Sequence, residues 1–193
     1  MSEPFKKIEN KENVVWITQP NEAETLLKRR ETAFNVARGK LIDSGGKIET
    51  AMQTAEAFGR GLFEDFIKRE IENWTMEEWI EPVVENIFNP LGTAATFTSI
   101  SEKEAKSLIF RCRLHEESNE PHMASLFTYG FLRGIFLSAF PQGELIMGSS
   151  IAQGAPMIEF TFKINATEKD LFERERVKNF YSQNVKKIQE SII

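Results

Sequence analysis

Residues 127–140 read FTYGFLRGIFLSAF. Gly130 and Gly134 stand four apart, and Arg133 is the one charge in the stretch. Such a segment reads as a membrane span, a buried core helix, or one wall of a pocket for an apolar or acidic small molecule. The membrane reading fails on length. Met123 to Phe140 gives 18 residues, with Pro121 limiting one end and Pro141 and Gly143 the other. A span needs about twenty apolar residues, and a central arginine costs several kcal/mol there. On a helix, Met123, Phe127, Gly130, Gly134 and Leu137 share one face. The two glycines strip that face of side chains, so it can lie very close to a neighbouring element. Tyr129, Leu132, Arg133, Phe136 and Phe140 fall on the other side. A helix apolar all round is buried on both sides or faces a cavity. Arg133 then has two roles open to it. It snorkels to the surface or pairs with a buried carboxylate, or it anchors the acidic group of a ligand.

Upstream of this segment the chain repeats at helical spacing. After Pro20, Leu26, Leu27, Phe34, Ala37 and Leu41 fit one face of a helix that Gly45 and Gly46 end. A second helix carries Ile48, Met52, Ala55, Phe58, Gly59, Leu62 and Phe66. Thr75 with Glu78 three residues on forms a capping box for a third, which Pro82 kinks or restarts and Asn89-Pro90 and Gly92 close. The period then changes. TAATFTSI (93–100) and AKSLIFRCRL (105–114) alternate as strands, with Leu108, Phe110, Cys112 and Leu114 assigned to one face. Beyond the apolar helix, GELIMGSSIA (143–152) and MIEFTFKI (157–164) read as an antiparallel pair, and a last helix covers roughly 167–191. This order predicts an α+β domain over 20–193, a four-stranded, mainly antiparallel sheet packed against several helices. Residues 1–19 read as a flexible arm.

Composition narrows the function. The chain has 193 residues, 41% hydrophobic and 27% charged, with a net charge of −5. No Lys/Arg cluster marks a nucleic-acid stripe. Sixteen Phe against two Tyr imply a large dry core or a dry cavity. The single cysteine excludes an internal disulfide and a multi-cysteine metal site, and suits a reducing compartment. Charges occupy the N-terminus where a signal peptide has its apolar region, so a cytoplasmic protein is expected. Cys112, His115 and His122 are the candidate catalytic residues. Three residues apart on a strand, Cys112 and His115 point to opposite faces and form no direct dyad. His115, Glu116, Glu117 and His122 make a polar connection rather than a metal site, and neither metal nor cofactor is expected.

Four stretches together carry a family resemblance: AFGRGLFEDFI (57–67), NPLGTAATFTSIS (89–101), YGFLRGIFLSAF (129–140) and SSIAQGAPMIEFTFKI (149–164). Their order and spacing resemble the 4-vinyl reductase (hydrocarbon-binding) domain family, which is related to the TRAPP tethering subunits. Gly59-Arg60, Leu91-Gly92, Arg133-Gly134 and Gly154 with Phe160 match its running marks. The resemblance implies a TRAPP-subunit-like fold and a small hydrophobic ligand. The family's zinc-holding cysteine positions align with Ser150 and Ile158 and its acidic one with Met147, so the metal is not implied here. The last hairpin also resembles the aminothiazoline-carboxylate hydrolase family, with Cys112 in the place of a family cysteine, while that family's later cysteines and aspartates are missing.

The expected function is binding or sensing of a hydrophobic, acidic small molecule. Its pocket is expected between the 122–140 helix and the sheet, lined from Phe110, Cys112, Phe127, Tyr129, Phe136 and Phe160, with Arg133 at the rim. A cysteine-dependent hydrolase or tetrapyrrole- or lipid-modifying enzyme is one alternative, and a structural or tethering subunit another. A homodimer is expected through the third helix, whose Trp74, Trp79, Ile80, Val83, Val84 and Ile87 offer a broad apolar surface.

Overall fold

The computed structural model describes residues 4–9, 13–68 and 71–192, the side chains of 191 and 192 excepted. In chain order the elements are β1 (Phe5–Glu9), β2 (Val14–Thr18), α1 (Glu24–Asp43), α2 (Ile48–Phe66), α3 (Met76–Val83), β3 (Ala94–Ser101), β4 (Glu104–Arg111), α4 (Arg113–Glu117), α5 (Pro121–Ala139), β5 (Glu144–Met147), β6 (Ile158–Lys163), α6 (Glu168–Gln183) and α7 (Val185–Ile192). The fold is α+β. All the strands join one antiparallel sheet, in the order β1-β2-β3-β4-β6-β5.

The sheet has six strands where four were expected. The two extra strands come from the segment read as a loose arm. Val14–Thr18 is β-branched and aromatic, and it pairs with β3 so that Trp16 sits opposite Phe97, fully buried. Phe5–Glu9 then pairs with β2. The charges of Lys6, Lys7 and Glu9 hide this strand from hydropathy. Lys7 belongs to an ion pair with Glu81 and lies over the Trp16 ring.

α5 runs through the middle of the molecule. Its glycine face meets α2 backbone to backbone. A Cβ on Gly134 would stand 2.1 Å from the Glu56 carbonyl oxygen, and one on Gly59 equally close to the Phe131 carbonyl oxygen. Gly59 and Gly134, two of the marks that carry the family resemblance, are therefore requirements of this crossing. The other face of α5 lies on the sheet. Phe136 packs edge-on against Trp79 and Phe162, and Tyr129 stacks on Phe160. These rings are fully buried, and full burial of each large side chain is worth roughly 1.5–3 kcal/mol.

α3 begins at the expected capping box, Thr75 and Glu78 bonding each other's backbone N–H. Pro82 donates no backbone hydrogen bond, and after Val83 the chain continues as a five-residue π turn, Val84–Phe88. The Asn89 N–H bonds the Val84 carbonyl, five residues back. Asn89 also ties down the start of the chain: its Oδ1 accepts from the Gln19 N–H, its Nδ2 donates to the Pro4 carbonyl, and its own carbonyl accepts from the Asn21 N–H.

Trp79, Ile80, Val83, Val84 and Ile87 are fully buried within the monomer, and Trp74 is partly buried against Phe63. The apolar surface from which a homodimer was inferred is thus consumed by the chain's own core. No helix among the described residues is long and apolar enough to cross a membrane.

Candidate functional site

The buried face of α1 reads Leu26, Arg30, Phe34, Ala37, Leu41. Four of these are apolar. The fifth is an arginine at i+4 from Leu26 and i−4 from Phe34, so helical geometry drives it inward with them. Arg30 is 5% exposed. Its Nη1 donates to the Leu91 carbonyl at 3.2 Å and to the Cys112 Sγ at 3.9 Å. Among the described residues no carboxylate lies in ion-pair contact with it. A buried charge without a counter-charge costs several kcal/mol unless something supplies one.

Two spaces meet at Arg30. Outside it, a groove of about 720 Å³ runs between α1 and the α4 region, bordered by Leu27, Phe34, Leu114 and several charged side chains. Inside it, a cavity of about 20 Å³ is walled by Phe88, Ile109, Cys112, Phe127, Thr128 and Phe131, among others. Arg30 and Leu114 border both spaces. The other cations of the groove are tied. Lys28 pairs with Glu24 at 2.7 Å, Arg38 with Glu120 at 2.8 Å, and Arg113 with Glu22 at 3.0 Å and with Glu117.

Cys112 follows β4 and stands at the N-cap position of α4, which brings its buried thiol beside Arg30. His115 follows one turn on. The Thr128 hydroxyl gives its proton to the Ala124 carbonyl at 2.8 Å, so the His115 Nε2 at 3.3 Å is the donor to Thr128. His115 Nδ1 is then a bare acceptor, buried and without a hydrogen-bond partner among the described residues. Burial, and after it the Arg30 charge, lowers the His115 pKa to about 4. His122 lies elsewhere, stacked on Phe180, its pKa lowered by burial and by Lys187. Neither histidine is hydrogen-bonded to the Cys112 sulfur among the described residues. No three His, Cys, Asp or Glu side chains there gather closely enough to hold a metal ion.

The expected pocket is only partly assembled. Cys112 and Phe127 do face one cavity. Tyr129, Phe136 and Phe160 are instead locked in the core, where the Tyr129 hydroxyl donates to the Leu145 carbonyl and burial, then the Glu144 charge, raises its pKa. Phe110 is 48% exposed, on the opposite side of the sheet. The strand faces are the reverse of those expected because Ala105, Ser107 and Ile109 point inward. Ser107 lies between Phe97 and Phe160 in adjacent strands, and its small side chain makes room for both rings. Leu114 is buried from α4 and Cys112 from the residue just before it, neither from the strand.

Arg133 is not at the rim of that pocket. It lines a separate cleft among α2, α5 and α6, where Glu56 meets its Nη1 at 2.7 Å and Glu144 its Nε at 3.3 Å. Burial opposes its charge, but Glu56 and Glu144 outweigh this and raise its pKa. Glu144, 1% exposed, also accepts from Arg174 at 3.2 Å. An anion arriving here meets two carboxylates already in place. Arg30 escaped the sequence reading because hydrophobic residues defined the α1 face. The signal was a charge inside an apolar helical stripe, the same signal that singled out Arg133. Comparison of the chain with models of known families, with curated proteins and with solved structures finds no match.

Proposed function

We propose that this chain is a small-molecule-binding or sensing domain without a metal, and that its ligand is a small organic anion held by Arg30 at the mouth of the α1–α4 groove. One observation carries the reading: a guanidinium is buried in an apolar helix face, has no carboxylate partner among the described residues, and borders an open groove. Arg30 thereby takes the anchoring role first sought at Arg133. The proposal includes membership of the 4-vinyl reductase domain family, which rests on the ordered sequence marks alone. Two of those marks serve helix packing and carry no ligand information.

The cysteine-dependent alternative gains the contact between Arg30 and the Cys112 sulfur. It lacks a placed base, because neither His115 nor His122 is hydrogen-bonded to the Cys112 sulfur among the described residues. The binding reading accounts for more of the site.

The test is native mass spectrometry of the chain purified from its own host, in wild-type, Arg30→Met and Arg133→Met forms. A retained acidic small molecule should survive Arg133→Met and be lost in Arg30→Met. Retention in the folded Arg30→Met variant, or loss only in Arg133→Met, refutes the assignment.

A further inference from the structure

We infer that the anion is a monocarboxylate on a compact apolar body, not a phosphate ester; this rests on the reading of Arg30 as its anchor. Charge comes first. Among the described residues Arg30 offers a positive charge with no ion-pair partner, while Arg38 and Arg113 are held by Glu120 and Glu22 and Lys28, out in solvent, is paired with Glu24. The groove is bordered by five carboxylates and four cations. A monoanion neutralises Arg30 and stops there. A dianion brings a second charge that, among the described residues bordering the groove, finds no cation without a carboxylate partner, and like charges at close range in a partly dry site repel strongly.

Size points the same way. The space inside Arg30 is about 20 Å³, roughly what a single water needs. It admits the tip of a small head and nothing bulkier. A planar carboxylate presents two oxygens that match the fork of a guanidinium, so it binds from the groove side without entering deeply. The rest of the ligand stays in the groove, where Leu27, Phe34 and Leu114 give it an apolar bed beside Arg30.

Three probes that share a phenyl body separate these terms: benzoate, phenyl phosphate and benzamide, titrated calorimetrically into the intact chain at pH 8. Benzoate is expected to bind. Phenyl phosphate, a dianion at that pH, is expected to bind at least about tenfold more weakly, and benzamide more weakly still, each tenfold being 1.4 kcal/mol. Arg30→Met should bring benzoate down to the level of benzamide, and Arg30→Lys should recover part of the loss. Phenyl phosphate binding as tightly as benzoate, and losing that affinity in Arg30→Met, overturns the monocarboxylate class and leaves Arg30 as an anion anchor. Benzamide equal to benzoate, or no heat from benzoate at millimolar concentration, overturns both. If Arg30→Met fails to fold, the ranking of the three probes on the wild-type chain decides the class alone.

Discussion

Gly134 and Glu56 touch backbone to backbone: a Cβ on Gly134 would stand 2.1 Å from the Glu56 carbonyl oxygen. Replacing a helical glycine by alanine ordinarily stabilises a helix by about 1 kcal/mol. Here the clash is with main chain, which cannot step aside without parting the two helices, and overpacking of that kind costs about 1–3 kcal/mol or more. The clash wins. Gly134→Ala and Gly59→Ala should each lower Tm by several degrees in a thermal melt. Gly39 and Gly61 lie in helices with nothing within 4 Å of an added Cβ, so Gly39→Ala and Gly61→Ala should raise it. A uniform response of all four would mean that the crossing is looser than described.

The two inward-lying arginines should respond oppositely to removal of charge. Arg133→Met leaves Glu144 and Glu56 short of their cation and should destabilise by about 3 kcal/mol, the usual cost of orphaning half of a buried pair. Arg30→Met removes a charge that has no carboxylate partner among the described residues. In ligand-free protein it should be neutral or stabilising, despite losing the bond to the Leu91 carbonyl. Chemical denaturation of both variants checks this, and a large loss for Arg30→Met would make Arg30 a structural residue.

Glu144 is the hub of the other charge cluster, accepting from both Arg133 and Arg174. Glu144→Gln keeps the shape and removes the charge that both guanidiniums face. A destabilisation of about 3 kcal/mol is expected, with loss of order at the junction of β5 and α6 measurable as faster amide exchange there.

His115 gives the fold a pH dependence whose sign is fixed. Its folded pKa is about 4, below the ordinary 6.5, so the unfolded chain takes up a proton first as pH falls. Stability contributed by neutral His115 is intact above pH 6.5 and declines between about 6.5 and 4, by at most about 3 kcal/mol. His115→Gln should flatten that part of the stability profile. Because Arg30 contributes to the lowering, saturating benzoate should raise the His115 pKa when its ring protons are titrated by NMR. An unchanged pKa on binding would place the anion away from Arg30.

The residues that revealed the fold were those whose period matched a single environment. Ile158, Phe160 and Phe162 alternate without exception and are fully buried; the Thr75–Glu78 capping box is local and formed as read. β2, β-branched and aromatic, was missed because its burial depends on a partner, β3, some eighty residues away, and β1, which pairs with β2, because its own composition is charged. The face of β4 was inverted because residue size, not hydrophobicity, decides it: Ala105 and Ser107 point inward beneath larger neighbours. For the site, Arg133 and Arg30 carry the same sequence signal, a charge in an apolar stripe. Only the positions of Glu56 and Glu144, brought in from α2 and β5, distinguish the satisfied arginine from the unsatisfied one. That distinction is tertiary and has no local trace.

The π turn at Val84–Phe88 marks the place where this chain holds slack. A π turn accommodates one residue more than the α-helix it interrupts. Removing one residue there, Glu85 being exposed, lets the segment close into ordinary helix while Asn89 keeps its hold on Pro4, Gln19 and Asn21. The same deletion within α2 has no such reserve. Every residue beyond it turns by about 100°, and Gly59 swings away from Phe131. Gain or loss of single residues is therefore tolerated unevenly along the helical layer, and the chain's permissible variation in length is concentrated just ahead of the residue that fastens its beginning.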